Sequence, residues 1–208
     1  YRGNFVNALS RIFGSKQRIV MVNAGRVSRY RDEGLPGRLS LLLVRIFYPL
    51  ADLLILKSEG MLADLDRLFR LAVQKRVIAN PCDTEEIAAG ALREPERFVF
   101  DPAFVHVVSA GRLIALKRFD VLIRAFAELR QKRGDARLVI AGEGPERERL
   151  ESLAGELGVR DSVFLPGQVK NPFAFFGRAD VFALSSETEG FPNVLTEAMA
   201  AGCPCVAS

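Results

Sequence analysis

The sequence predicts an α/β protein built on doubly wound parallel sheets in two domains, and three observations carry that prediction. Short apolar runs alternate with amphipathic helical stretches along the chain, the order of strand, crossover helix and parallel strand. The alternation breaks once, at a charged, Pro-containing stretch over residues 83–102 that reads as a linker, and then restarts. In the second half, glycines and functional polar residues cluster just after the expected strands, where open parallel sheets bind their ligands. The expected domains are residues 1–88 and 95–208, both incomplete, because the chain opens on Tyr1 rather than Met and closes on what reads as a strand.

Phe5, Val6, Leu9, Ile12 and Phe13 recur at helical spacing before Gly14, which predicts a helix within residues 1–16. Arg18–Ala24 reads as a buried strand, residues 25–37 as a polar loop, and Leu39–Phe47 as an apolar helix stopped by Pro49. Arg45, Pro49 and Asp52 interrupt the apolar stretch from Leu39 to Leu56, which therefore lacks the ~20 nearly uncharged residues of a spanning helix. A strand over Asp52–Lys57, a helix over Glu59–Leu71 and a strand over Arg76–Asn80 complete this half. Asp64 and Asp66, two apart on that helix, do not share a face, so they are read as solvated rather than metal-binding.

The second half predicts strands over Phe104–Ala110, Arg137–Ala141, Ser162–Leu165, Asp180–Leu184 and Pro204–Ser208. Helices over Phe119–Lys132, Pro145–Leu157 and Asn171–Gly177, with one starting at Asn193, fall between them. His106, the one histidine, lies inside an apolar strand and reads as a core residue.

A content of 49% hydrophobic and 26% charged residues suits a globular protein. The net charge of +4 is unevenly spread: residues 1–31 hold Arg2, Arg11, Lys16, Arg18, Arg26, Arg29 and Arg31 with no acid, a net +7 that leaves the rest at −3. Such a segment meets an anionic membrane surface or nucleic acid, or simply faces solvent. With no nucleic-acid motif and no Trp, nucleic acid is not expected and the membrane reading leads. Cys82, Cys203 and Cys205 are odd in number and lack metal or redox spacing, which suits packing residues in a reducing cytosol.

The chemistry concentrates in residues 185–202, where Glu189 and Glu197 bracket Gly190, Pro192 and Asn193. Asn193 is expected to cap a helix that Gly202 ends, leaving the N–H groups of Val194 and Leu195 to meet a phosphate. The two carboxylates, repelled by phosphate, suit pairs of sugar hydroxyls. Gly111-Arg112-Leu113 with Lys117 follows the first strand of this half, and a planar fork beside a mobile point charge suits a diphosphate. Gly142-Glu143-Gly144-Pro145-Glu146-Arg147 opens like a dinucleotide fingerprint but carries Arg147 at the third glycine.

Glu189-Gly190-Phe191-Pro192-Asn193-Val194-Leu195-Thr196-Glu197, running on to Gly202, closely resembles the signature of the family-4 retaining glycosyltransferases of the GT-B fold. The resemblance is strong from Val105 to Ser208 and, from Arg18 to Asp83, rests on strand order. It implies two Rossmann-like domains and transfer of a hexosyl or N-acetylhexosaminyl group, with retention, from a UDP- or GDP-linked donor to an acceptor hydroxyl, without metal or other cofactor. The implied acceptor is a glycan or lipid-linked glycan of bacterial surface synthesis, and the implied location is the cytoplasm, peripheral to the inner membrane face. It further implies that Glu189 meets the donor sugar and Glu197 the ribose, within a segment that includes Pro192, Asn193, Val194 and Leu195. Arg112 and Lys117 beside Gly111 would hold the diphosphate, Gly142 would line the nucleotide pocket, and Gln168 and Val169 would meet the base. The family's first-domain histidine and Gly-rich loop have no counterpart here. A fragment that binds nucleotide without catalysis, or a sugar-nucleotide epimerase of the same fold, remains as an alternative; the Glu-Gly-Phe-Pro-Asn-Val-Leu segment argues against the epimerase.

Overall fold

The computed structural model describes residues 2–208, and Tyr1 and the Arg2 side chain of the basic segment lie outside the described residues. The chain forms two compact units, the first running to Pro81 and including Glu189–Phe191, the second comprising Cys82–Thr188 and Pro192–Ser208.

The first unit contains α1 (Arg2–Ile12), β1 (Val20–Val22), a 3-10 turn (Ser28–Arg31), α2 (Gly34–Phe47), β2 (Leu53–Leu56), α3 (Glu59–Leu68) and β3 (Gln74–Val77). The three strands are parallel in the order β1-β2-β3, with Leu54 paired to both Met21 and Lys75. Successive side chains of a strand point to opposite faces, and in β1 only Met21 is buried while Val20 and Val22 are exposed, so this is not the buried strand expected from Arg18 to Ala24. Helix α2 starts at Gly34 rather than Leu39, because Pro36 falls in the first turn, where no N–H is required. Helix α3 starts where Ser58 accepts from the Met61 N–H, a side-chain cap.

Asp64 corrects a second expectation. It is buried, and its Oδ2 accepts from the N–H groups of Val27 and Ser28 at 2.8 and 2.9 Å, while Oδ1 accepts from Arg67 at 3.2 Å. Burial opposes its charge, but these hydrogen bonds outweigh it and hold the carboxyl below its usual range. Only Asp66 is solvated, and it pairs with Lys75 at 2.6 Å. The helix argument separated the two faces correctly without showing that one of them meets a neighbouring turn.

The second unit contains α4 (Thr84–Ala91), β4 (Val105–Ala110), α5 (Phe119–Lys132), β5 (Ala136–Ala141), α6 (Arg147–Glu156), β6 (Val163–Gly167), α7 (Phe173–Phe176), β7 (Val181–Leu184), α8 (Asn193–Ala200) and β8 (Cys205–Ala207). The stretch expected as a linker thus holds a helix, capped by Asp83 through the Glu86 N–H. It packs within the second unit, where Asn171 donates to the Gly90 carbonyl at 2.8 Å and Arg178 pairs with Glu94 at 2.6 Å. The first compact unit therefore ends at Pro81 rather than at residue 88.

All five strands of this sheet are parallel in the order β6-β5-β4-β7-β8, so the winding reverses between β4 and β7. Two apolar layers cover the sheet: Leu138 and Ile140 of β5 pack with Ile123 and Phe126, while Val139 packs on the other side with Phe175 and Phe182. Each such side chain removed from water contributes about 1.5–3 kcal/mol. His106 lies in the sheet, its ring centroid 4.7 Å from that of Phe100, and burial holds its pKa below the ordinary value.

Candidate functional site

In an open parallel sheet the crevice for ligands lies outside the carboxyl ends of the strands where the winding reverses. Here that point lies between β4, which ends before Gly111, and β7, which ends before Ser185. Side chains join the two strands and their loops: Ser109 Oγ donates to the Ala183 carbonyl at 2.6 Å, and Ser185 Oγ donates to the Lys117 carbonyl at 2.8 Å. The Glu187 N–H adds a bond to the Leu116 carbonyl at 3.0 Å. The loop carrying Arg112 and Lys117 is thereby fixed to the segment that leads into α8. Sequence reasoning missed Ser185, since a serine after a strand gives no sign of its partner. It also missed Arg118, which starts α5 in the left-handed region at φ 48°, uncommon for a residue with a Cβ, and pairs with Asp120 at 3.4 Å.

Gly142 is required by close approach, and Gly111 is favoured by its backbone at φ 155°. A Cβ on Gly142 would lie 1.9 Å from the Gly111 carbonyl oxygen, and one on Gly111 would meet the Lys117 side chain at 3.5 Å, so the lysine stem lies over bare backbone. The Gly142 N–H donates to the Gly167 carbonyl at 2.9 Å, so Gly142 lines the strand ends with an N–H already in use. Arg147, at the failed glycine position of the fingerprint, grips Glu143 in bidentate fashion at 2.7 and 3.0 Å and also pairs with Glu151 at 2.8 Å. The Arg147 bonds hold the Glu143 carboxyl below its usual range.

Arg112 is exposed with no acidic partner among the described residues, and Lys117 is half-buried beside it in the chain. Across the switch point, α8 begins with Pro192 in the capping position and Asn193 as its first helical residue. This corrects the expected cap at Asn193. The Pro192 carbonyl accepts from Leu195 and Thr196 at 3.0 and 3.3 Å, so the proline starts the helix and takes up the Leu195 N–H that was expected to be free. Gly202 ends the helix at φ 81°, as expected, and the Cys203 N–H reaches back to the Ala198 carbonyl at 3.0 Å.

Glu197 lies one turn into α8 and is half-buried, and burial raises its carboxyl above the usual range. Val194 and Leu195 pack their side chains against the core cluster that holds Leu184. Gln168 is exposed after β6, and Val169 packs into the same core. Glu189 groups with the first unit and is half-buried there. Among the described residues, no group of three or more His, Cys, Asp or Glu side chains is placed to hold a metal ion.

This second unit thus carries Arg112 and Lys117 after β4, and the α8 N-terminus and Glu197 after β7. The glycosyl transferases group 1 family matches residues 93–208. Over 207 residues the chain is 34% identical to the N-acetylgalactosamine-N,N'-diacetylbacillosaminyl-diphospho-undecaprenol 4-alpha-N-acetylgalactosaminyltransferase of Campylobacter jejuni, covering 99% of this chain and 54% of that protein. Over 106 residues it is 42% identical to the lipopolysaccharide core biosynthesis glycosyltransferase LpsD of Rhizobium meliloti, covering 51% of this chain and 29% of that protein. Among solved structures, Anabaena HepE in complex with UDP and glucose superposes with a TM-score of 0.78 at 20% identity, covering 99% of this chain and 56% of that one. The fold is thus that of the GT-B enzymes, and the chain spans about half the length of the first two relatives with which it aligns over nearly all its residues. The chain belongs to the glycosyl transferases group 1 family.

Proposed function

We propose that the whole protein transfers a sugar from a nucleoside diphosphate donor to a hydroxyl of a lipid-linked glycan, with retention of anomeric configuration. The observation that carries this reading is the joining of the Arg112–Lys117 loop to the α8 segment at the switch point, through Ser185 and Glu187. Arg112, Lys117 and the α8 N-terminus stabilise the negative charge that grows on the diphosphate as the bond from the anomeric carbon to the phosphate oxygen breaks. The acceptor oxygen attacks from the same face and passes its proton to the departing phosphate. Glu197 accepts from the ribose hydroxyls and Glu189 from the transferred sugar. The positive charge comes from protein groups, so the reaction needs no metal. UDP is the first donor nucleotide to test, since HepE has been solved with UDP, and a lipid-linked acceptor is suggested by the diphospho-undecaprenol in the name of the Campylobacter relative. The basic residues within 1–31 draw the protein to the anionic membrane where such an acceptor resides.

The test is to incubate the full-length protein with UDP- and GDP-sugars and a lipid-linked acceptor, with and without excess EDTA. The expected result is an α-linked product from an α-linked donor, formed at the same rate in EDTA. An inverted linkage, or activity lost in EDTA and restored by magnesium or manganese, contradicts the mechanism.

A further inference from the structure

We propose that Arg118 is a positioning residue for the transfer, whose left-handed turn holds the Lys117 side chain over Gly111 at the switch point. The inference rests on the reading of Lys117 as a ligand of the donor diphosphate, and adds the residue that sets where that cation stands. Among the described residues only Arg97 and Arg118 combine a side chain with a positive φ, at 62° and 48°. A Cβ crowds the following carbonyl in this region, so such a residue persists where its surroundings fix it, and it recurs where a site needs an exact geometry.

The Arg118 N–H donates to the Ala115 carbonyl at 3.0 Å, closing the 3-10 turn Ala115–Lys117, and the Arg118 carbonyl accepts from Val121 and Leu122 at 3.0 and 3.3 Å, opening α5. One residue thus ends a turn of helix and starts the next helix. The residues on either side of it come onto the same glycine: a Cβ on Gly111 would lie 3.5 Å from Lys117 Cε and 3.7 Å from Phe119 Cζ. Phe119 is buried in the core that α5 shares with β5, which fixes one side of the turn. Lys117 carries a flexible four-carbon stem, and the turn gives that stem its direction.

Glycine adopts φ 48° without strain, so what arginine adds here is its side chain. Its Nε pairs with Asp120 Oδ1 at 3.4 Å, and its Nη1 lies 3.9 Å from Glu187 Oε2. Asp120 belongs to the first turn of α5 and Glu187 to the segment leading into α8, so the guanidinium braces the turn from both sides of the switch point. Ion pairs near solvent contribute little to stability, whereas the left-handed backbone costs some. Stability and turnover should therefore respond differently when Arg118 is replaced.

The experiment is steady-state kinetics of the full-length protein with a UDP-sugar and a lipid-linked acceptor, beside thermal melting. Arg118→Gly should keep or raise the melting temperature while lowering kcat about tenfold at nearly unchanged donor KM, because Lys117 acts on the charge that develops during transfer. Arg118→Lys, which keeps a cation for Glu187, should recover most of the turnover. In a Lys117→Ala background, Arg118→Gly should lower kcat no further, since Arg118 acts through Lys117. Wild-type kcat in Arg118→Gly overturns the proposal, as does a further tenfold loss in the Lys117→Ala background. So does a melting temperature that falls together with turnover, which would make Arg118 a structural turn residue alone. Normal turnover of Lys117→Ala overturns the reading of Lys117 and this inference with it, whereas a loss in Lys117→Ala beside normal Arg118→Gly overturns the inference alone.

Discussion

The two parallel sheets differ in how far their strands are enclosed. In β5 of the second unit every residue but Arg137 is buried, whereas β1 of the first unit buries only Met21 and β3 buries no residue fully. A strand covered on both faces has its carboxyl end held in place by the layers around it. The glycine-rich ends of β4, β5 and β6, which approach too closely to admit a Cβ at Gly142, depend on that support. The first unit instead turns apolar and basic side chains outward and anchors its β1–α2 connection through the single carboxylate of Asp64. Over the described residues, one unit encloses its strands on both faces and the other does not.

The largest effect that would break this contrast is on catalysis. Lys117→Ala and Arg112→Ala in the full-length enzyme should each lower turnover by ~10²–10³, as for loss of one stabilising donor, without unfolding the protein. Near-normal turnover in steady-state assays of either variant would remove that residue from the clamp and leave the second unit with no fixed charge site.

A smaller pair of effects sharpens the contrast by stability. Asp64→Ala leaves two N–H groups without their acceptor and should cost roughly 2–3 kcal/mol, seen in hydrogen exchange as faster opening of β1 and β2 while β4 and β5 keep their protection. Gly142→Ala should do the reverse, by about 1–3 kcal/mol, since its Cβ must push the Gly111 backbone away. The same exchange pattern from both variants would mean that the units do not open separately.

The two units also differed in how much their sequences disclosed. Long apolar runs between clear helical periods placed α5 at Phe119–Lys132 and β4 and β5 to within a residue, because burial on both faces writes a continuous pattern. In the first unit β3 carries Gln74, Lys75 and Arg76, a composition that does not mark a strand, and it was expected two residues late. The candidate residues stand in the sequence as a motif, but their relations do not: that Pro192 rather than Asn193 starts α8, or that Ser185 holds the Lys117 loop, depends on contacts that the motif does not write. The burial of Asp64 was hidden for the same reason, since its partners lie 36 and 37 residues away.

The most direct test of the central claim, that the second unit holds a nucleoside diphosphate with Glu197 on its ribose, is calorimetric titration of the full-length protein with UDP. Glu197→Gln should weaken binding by ~1–3 kcal/mol, while Glu189→Gln should leave it nearly intact and lower turnover instead. Burial raises the Glu197 carboxyl above its usual range, and ribose hydroxyls favour its ionised form. Wild-type affinity should therefore strengthen as pH rises through that raised value and weaken as it falls, with a component that Glu197→Gln removes. Equal losses in the two variants, or wild-type affinity and pH dependence in Glu197→Gln, would contradict the account.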